Sequence, residues 1–150
     1  MKECNIQLEA LMPLLQERLA AGERVRFSPG GVSMLPMLRP GRDSVFLSPV
    51  PERLKKYDLP LYRREDGRYV LHRIVKVGET YTCMGDHQFV PETGLRQTQM
   101  IALVTAFVRD GKEYSVAWLP YRLYCRVWHN SRFLRRFLKR GTGWLRRHLR

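Results

Sequence analysis

Tyr69-Val70-Leu71-His72-Arg73-Ile74-Val75-Lys76-Val77 is a run rich in β-branched residues, the composition that suits a pleated, half-buried strand. Runs of the same type recur at Asp43 to Ser48, Pro60 to Arg64, Thr80 to Met84 and Met100 to Val108. Pro, Gly, Asp or charged residues separate most of them, the punctuation of an all-β sheet or coiled barrel. Ile101-Ala102-Leu103-Val104-Thr105-Ala106-Phe107-Val108 is nearly all apolar, which predicts a strand buried on both faces. A chain of 150 residues fits one domain and can bury a substantial core. The expected fold is mainly β, a small coiled barrel or sheet with helices confined to its ends.

At the N-terminus Ile6, Leu8, Leu11, Leu14, Leu15 and Leu19 recur at helical intervals, and Ala20-Ala21-Gly22 ends the pattern. Pro13 is a point where that helix would kink or restart. No stretch offers the roughly 20 consecutive apolar residues of a spanning helix. Glu3, Glu9, Glu17 and Arg18 interrupt any apolar core of a cleavable signal peptide.

Charge divides the chain unequally. Seventeen of the 27 Lys and Arg precede Arg122 together with all 14 Asp and Glu, so residues 1–121 carry only +3. Residues 122–150 hold the other ten basic residues and no acid. On a helical wheel Leu123, Tyr124, Val127, Leu134, Phe137 and Leu138 fall on one side. Arg132, Arg135, Arg136, Lys139 and Arg140 fall mainly on the other, before Gly141-Thr142-Gly143 breaks the pattern. Residues 1–121 thus read as the folded unit and 122–150 as a basic amphipathic tail. Such a tail can lie on an anionic membrane with Trp128 and Trp144 near the headgroups, or pack its apolar stripe on the domain. Nucleic-acid binding is the weakest reading, because no recognisable nucleic-acid motif accompanies the charge.

Cys4, Cys83 and Cys125 are odd in number and widely spaced, which fits a reducing cytoplasm better than a disulfide framework. Cys125 and His129 are four apart, but two ligands do not close a metal site. With no phosphate-binding glycine loop or dinucleotide fingerprint either, no cofactor or metal is expected.

Chemistry enters at Gly30-Gly31-Val32-Ser33-Met34-Leu35-Pro36, where two glycines and a proline can hold Ser33 on a rigid turn. A serine hydroxyl needs a positioned base, and His72 has the pKa range for it. Asp86, after Gly85, offers an acid. Each has a bland reading as well: a turn serine, a packed strand histidine and a turn aspartate.

The set as a whole resembles the superfamily of serine peptidases that contains the type I signal peptidases and the self-cleaving SOS-response repressors. The likeness spans about residues 24–109. Its marks are the box Ser33-Met34-Leu35-Pro36-Met37-Leu38-Arg39-Pro40-Gly41-Arg42-Asp43, the string Leu71-His72-Arg73-Ile74-Val75 and Met84-Gly85-Asp86-His87. Histidine stands where bacterial signal peptidases place lysine, as in the endoplasmic-reticulum and archaeal enzymes. The resemblance implies Ser33 as nucleophile, His72 as general base and Asp86 as the carboxylate that orients the imidazole, acting on a peptide or protein precursor. Lys76, four residues beyond His72, and His87 are rival bases. The chain departs from the family pattern at Gly31, where a hydroxyl is usual, at Arg42, which separates Gly41 from Asp43, and at Tyr57, where glycine is expected. Those departures keep open a non-catalytic peptide- or membrane-binding module of the same fold.

Overall fold

The computed structural model describes residues 2–132 and 135, and the side chains from Leu8 onward. The tail positions Leu134, Arg136, Phe137, Leu138, Lys139 and Arg140, the Gly141-Thr142-Gly143 break and Trp144 lie outside the described residues, as does the side chain of Ile6.

The first helix, α1 (Lys2–Ala20), runs through Pro13 without interruption. It ends as its sequence predicts: the Glu23 amide donates to the Arg18 carbonyl and the Gly22 amide to that of Leu19, with Gly22 at φ +78°. That paired closure uses the left-handed backbone that glycine adopts without penalty. The buried face differs from the leucine pattern. Met12, Leu15 and Leu19 are buried, whereas Leu11 and Leu14 are 56% and 50% exposed. Spacing of four, three and four from Leu8 selects a narrower stripe in which methionine replaces leucine.

Strands β1 (Val25–Phe27), β2 (Ser44–Ser48), β3 (Pro60–Arg63), β4 (Tyr69–Leu71), β5 (Arg73–Val77), β6 (Tyr81–Met84), β7 (Glu92–Leu95), β8 (Met100–Arg109) and β9 (Lys112–Ser115) follow, then α2 (Leu119–Asn130). They form two antiparallel sheets, one of order β1-β2-β8-β3-β4 with β9 also on β8, the other β5-β6-β7. The β class holds, and the sheets are open. The run from Tyr69 to Val77 is two strands rather than one. The chain leaves the first sheet after Leu71 and joins the second at Arg73, so His72 occupies the crossing point.

The β8 strand organises the first sheet, pairing with β2, β3 and β9. Met100, Ala102, Val104 and Ala106 are fully buried, while Ile101, Leu103 and Thr105 are half-buried, so its two faces are unequal. Ala102 and Val104 join a core with α1, the Met34-Met37-Leu38 segment and Tyr121 and Cys125 of α2. Met100 and Leu103 pack instead with Tyr62, Ile74, Tyr81 and Cys83 in a second cluster. Because α2 begins at Leu119 and buries Tyr121 and Cys125, it belongs to the folded unit on both sides of residue 121. Its inward face carries Tyr121, Tyr124, Cys125 and Trp128, whereas Leu119, Leu123 and Val127 are 73%, 60% and 58% exposed.

Candidate active site

The segment after Ser33 is anchored from below. Met34, Met37 and Leu38 are buried, and the Leu38 amide donates to the Met34 carbonyl at 2.9 Å. The buried Asp43 carboxylate closes the loop by accepting from the Arg39 amide at 2.9 Å and from its guanidinium at 2.9 and 2.7 Å. The interposed residue costs the loop little: Gly41 turns at φ +71°, and Arg42 points outward with its side chain 66% exposed.

Ser33 itself is half-buried, and its carbonyl accepts the His87 amide at 2.9 Å. The Gly85 backbone approaches so closely that a Cβ there would lie 2.5 Å from the Ser33 carbonyl oxygen and 3.1 Å from the Ser33 Cβ. Glycine is therefore required by proximity. Arg73 pairs with Met84 between β5 and β6, so His72 precedes, and Gly85 follows, the last residue pair of that ladder. The Ser33 turn and the Gly85-Asp86-His87 turn thus meet main chain to main chain, at the end of the ladder that begins beside His72. Among the described residues no hydrogen bond joins the Ser33 hydroxyl to His72.

His72 is 2% exposed. Its Nδ1 lies 3.0 Å from Glu92 Oε1 and 3.3 Å from the Tyr62 hydroxyl. Arg64 grips the same Glu92 with two contacts, Nε to Oε2 at 2.7 Å and Nη2 to Oε1. Burial pushes the imidazole pKa below 6.5, with Glu92 pulling upward and Arg64 downward. Burial also works to raise the Glu92 pKa, but the Arg64 bond outweighs it, so the carboxyl stays below its ordinary value. The result is a neutral imidazole beside a charged carboxylate, the state that a general base requires at neutral pH.

Asp86 follows Gly85 in sequence, and its carboxylate is engaged away from the imidazole. Arg73, fully buried, meets it bidentately, Nε to Oδ1 and Nη2 to Oδ2, both at 2.9 Å. Tyr124 donates to Oδ2 at 2.9 Å, His129 Nε2 lies 3.1 Å from Oδ1, and Trp128 Nε1 donates to the Asp86 carbonyl at 2.8 Å. The remaining Arg73 nitrogen reaches the Tyr121 hydroxyl at 2.7 Å, Cys125 Sγ at 3.1 Å and the Tyr57 carbonyl at 3.2 Å. Burial opposes ionisation of Asp86, yet Arg73 and His129 outweigh it and hold the pKa well below the usual carboxylate range. The group facing the imidazole is Glu92; Asp86 pins α2 to the second sheet. Cys125 and His129, the residues considered as metal ligands, are bound into this same network.

The rival bases are placed less well. A bulge between Ile74 and Lys76 inserts one residue into β5, which reverses the side-chain alternation. Lys76 therefore leaves the face expected from its spacing to His72, and it is exposed. His87 is also exposed and touches Ser33 through its amide. Tyr57 takes φ +76°, the left-handed backbone that glycine would supply at that position, at a cost of about 1–2 kcal/mol. Its amide bonded to the Ile74 carbonyl and the Ile74 amide bonded to Asp58, both at 2.8 Å, hold it there.

Sequence reasoning missed Tyr62, Arg64 and Glu92. Tyr62 in β3 and Arg64 just after it stand two apart, and that parity was legible; nothing in Val90-Pro91-Glu92-Thr93-Gly94 marks Glu92. Compared with known proteins, the chain matches no family model and no curated protein.

Proposed function

We propose that the protein is a serine endopeptidase resembling signal peptidase, which cleaves a peptide or protein precursor through Ser33 and His72. The observation that supports this reading is the contact of the Ser33 main chain with Gly85 and His87, in the turn that follows Met84, the β6 partner of Arg73, which is itself the neighbour of His72 in sequence. In the reaction the Ser33 hydroxyl oxygen attacks the scissile carbonyl carbon while His72 takes its proton. The tetrahedral intermediate expels the amine, which receives that proton from His72. Water, deprotonated by the same imidazole, then hydrolyses the acyl-serine ester and restores both groups.

The test compares the purified protein with Ser33→Ala and His72→Ala on a mixed peptide library, read by mass spectrometry across mildly acidic to mildly basic pH. Cleavage by the wild type alone supports the reading. Equal product profiles from all three proteins would remove it.

The proposed place of action is the cytoplasmic face of an anionic membrane. Leu119, Leu123 and Val127 form an exposed apolar stripe at helical spacing, with Arg122 and Arg126 exposed beside it. Each basic residue near such a surface contributes about 1 kcal/mol. Among the described residues no helix is long and apolar enough to cross a membrane. Liposome co-sedimentation should fall when Leu123 and Val127 are both changed to Glu, and equal binding by the variant would argue against attachment through α2.

A second reading, a non-catalytic peptide-binding module, is favoured by a separate observation. An apolar groove of about 340 Å³ runs between Pro36-Met37 and the aromatic residues Phe107, Tyr114, Trp118 and Tyr121. Retained affinity for library peptides without turnover would select it.

A further inference from the structure

We propose that Glu92, held by Arg64 and Tyr62, is the carboxylate that sets the tautomer and orientation of His72, the role that motif order assigns to Asp86. The proposal deepens the peptidase reading and rests on it only for its catalytic consequence.

Hydrogen-bond capacity fixes the tautomer. An ionised carboxylate only accepts, so the 3.0 Å contact between Glu92 Oε1 and His72 Nδ1 requires Nδ1 to carry the proton. The Tyr62 hydroxyl, 3.3 Å from the same nitrogen, then cannot donate to it, and its proton is left for Glu92, with which it also interacts. Nε2 is consequently the nitrogen with the free lone pair, the atom a serine hydroxyl must meet.

Position reinforces the assignment. Glu92 begins β7, the neighbour of β6 in the second sheet, so the carboxylate stands on a strand rather than a free loop. Arg64, the residue that follows β3 of the first sheet, supplies two contacts to it. The Arg64–Glu92 pair therefore bridges the two sheets across the crossing where His72 sits. The charged and titratable groups that act on this cluster include Glu92, Arg64 and Asp86 on the imidazole, Tyr62 on Glu92, Cys83 on Tyr62 and Asp66 on Arg64. Only Glu92 and Tyr62 among them make a contact with the ring. Asp86 spends its oxygens on Arg73, Tyr124 and His129.

The decisive measurement is the ¹⁵N shift pattern of the His72 ring in the full chain. The wild type should show protonated Nδ1 and unprotonated Nε2 at neutral pH. Glu92→Gln should lose that preference and lower the His72 pKa further, because a stabilising negative charge is gone; Glu92→Asp should restore part of both. Rate of covalent labelling of Ser33 by a fluorophosphonate probe should drop about 10²- to 10⁴-fold in Glu92→Gln. A wild-type ring protonated on Nε2 would overturn the proposal even if no variant folds, and so would an unchanged tautomer and pKa in Glu92→Gln. A wild-type Ser33 that never reacts with the probe counts against the peptidase reading, while the ring shifts still decide the role of Glu92.

Discussion

Changing Asp86 to Asn preserves shape and removes charge, which separates an anchoring role from a catalytic one. Arg73 is 0% exposed, and among the described residues the carboxylate it binds is Asp86, at 2.9 Å through two nitrogens. An asparagine oxygen can accept one of those bonds, but its amide group turns donors toward the other. The guanidinium is then a buried cation without a counterion, a defect that costs about 3–5 kcal/mol. That is a large share of the 5–15 kcal/mol typical of a domain. Tyr124 and His129 lose their charged acceptor as well, so α2 should loosen first. In the double variant Arg73→Met/Asp86→Asn the orphan charge disappears. What remains is ordinary unsatisfied hydrogen bonding on α2, about 1–3 kcal/mol.

Urea denaturation followed by far-ultraviolet circular dichroism, with tryptophan fluorescence reporting on Trp128, measures both variants. The single variant should be the less stable of the two. The acid limb provides a second readout. The folded Asp86 pKa lies below its ordinary 3.8, so the unfolded chain takes up the proton first. Its stabilising contribution is full above about pH 4 and is lost as pH falls toward the folded value; Asp86→Asn should flatten that limb. A single variant within about 1 kcal/mol of wild type, or a double variant no better than the single, would refute the anchoring argument. A fully stable but inactive Asp86→Asn would return Asp86 to catalysis.

Gly85→Ala places a Cβ 2.5 Å from the Ser33 carbonyl oxygen, a backbone atom that cannot swing aside. We expect a loss of about 1–3 kcal/mol and slower labelling of Ser33 by a serine-directed probe, and unchanged labelling would mean the contact does not position the nucleophile. Met12→Ala should destabilise by about 2–5 kcal/mol and Leu11→Ala by less than about 0.5 kcal/mol, the reverse of what counting leucines suggests; thermal melts compare them. Because burial lowers the His72 pKa, the acid limb of Ser33 reactivity should have its midpoint below the ordinary 6.5, and a midpoint above neutrality would contradict a neutral buried base.

Several elements were legible because local rules act on neighbouring residues. The Gly22 helix end follows from the left-handed preference of glycine, and the strands at 44–48, 60–63, 81–84 and 100–109 follow from composition and punctuation. Short pieces such as β1, β7 and β9 carry too few apolar residues to show a period, and they form because β2, β6 and β8 offer edges to pair with. The break at His72 was invisible for a related reason. Both flanks favour strand, and only the pairing of one with β3 and the other with β6 shows that they serve different sheets.

By itself the sequence determined the β class and the N-terminal helix with its stop, and it offered Ser33 and His72 as candidates. Those properties depend on periodicity, backbone preference and residue chemistry within short spans. Tertiary structure alone decided which carboxylate faces which cation. Asp86 and Glu92 are six positions apart, and each is ionisable and adjacent to a turn. Their different partners arise because β5 carries Arg73 inward to α2, while Tyr62 of β3 and Arg64 just after it reach His72 and Glu92. Charge pairing across sheets depends on register and burial, which no local pattern encodes.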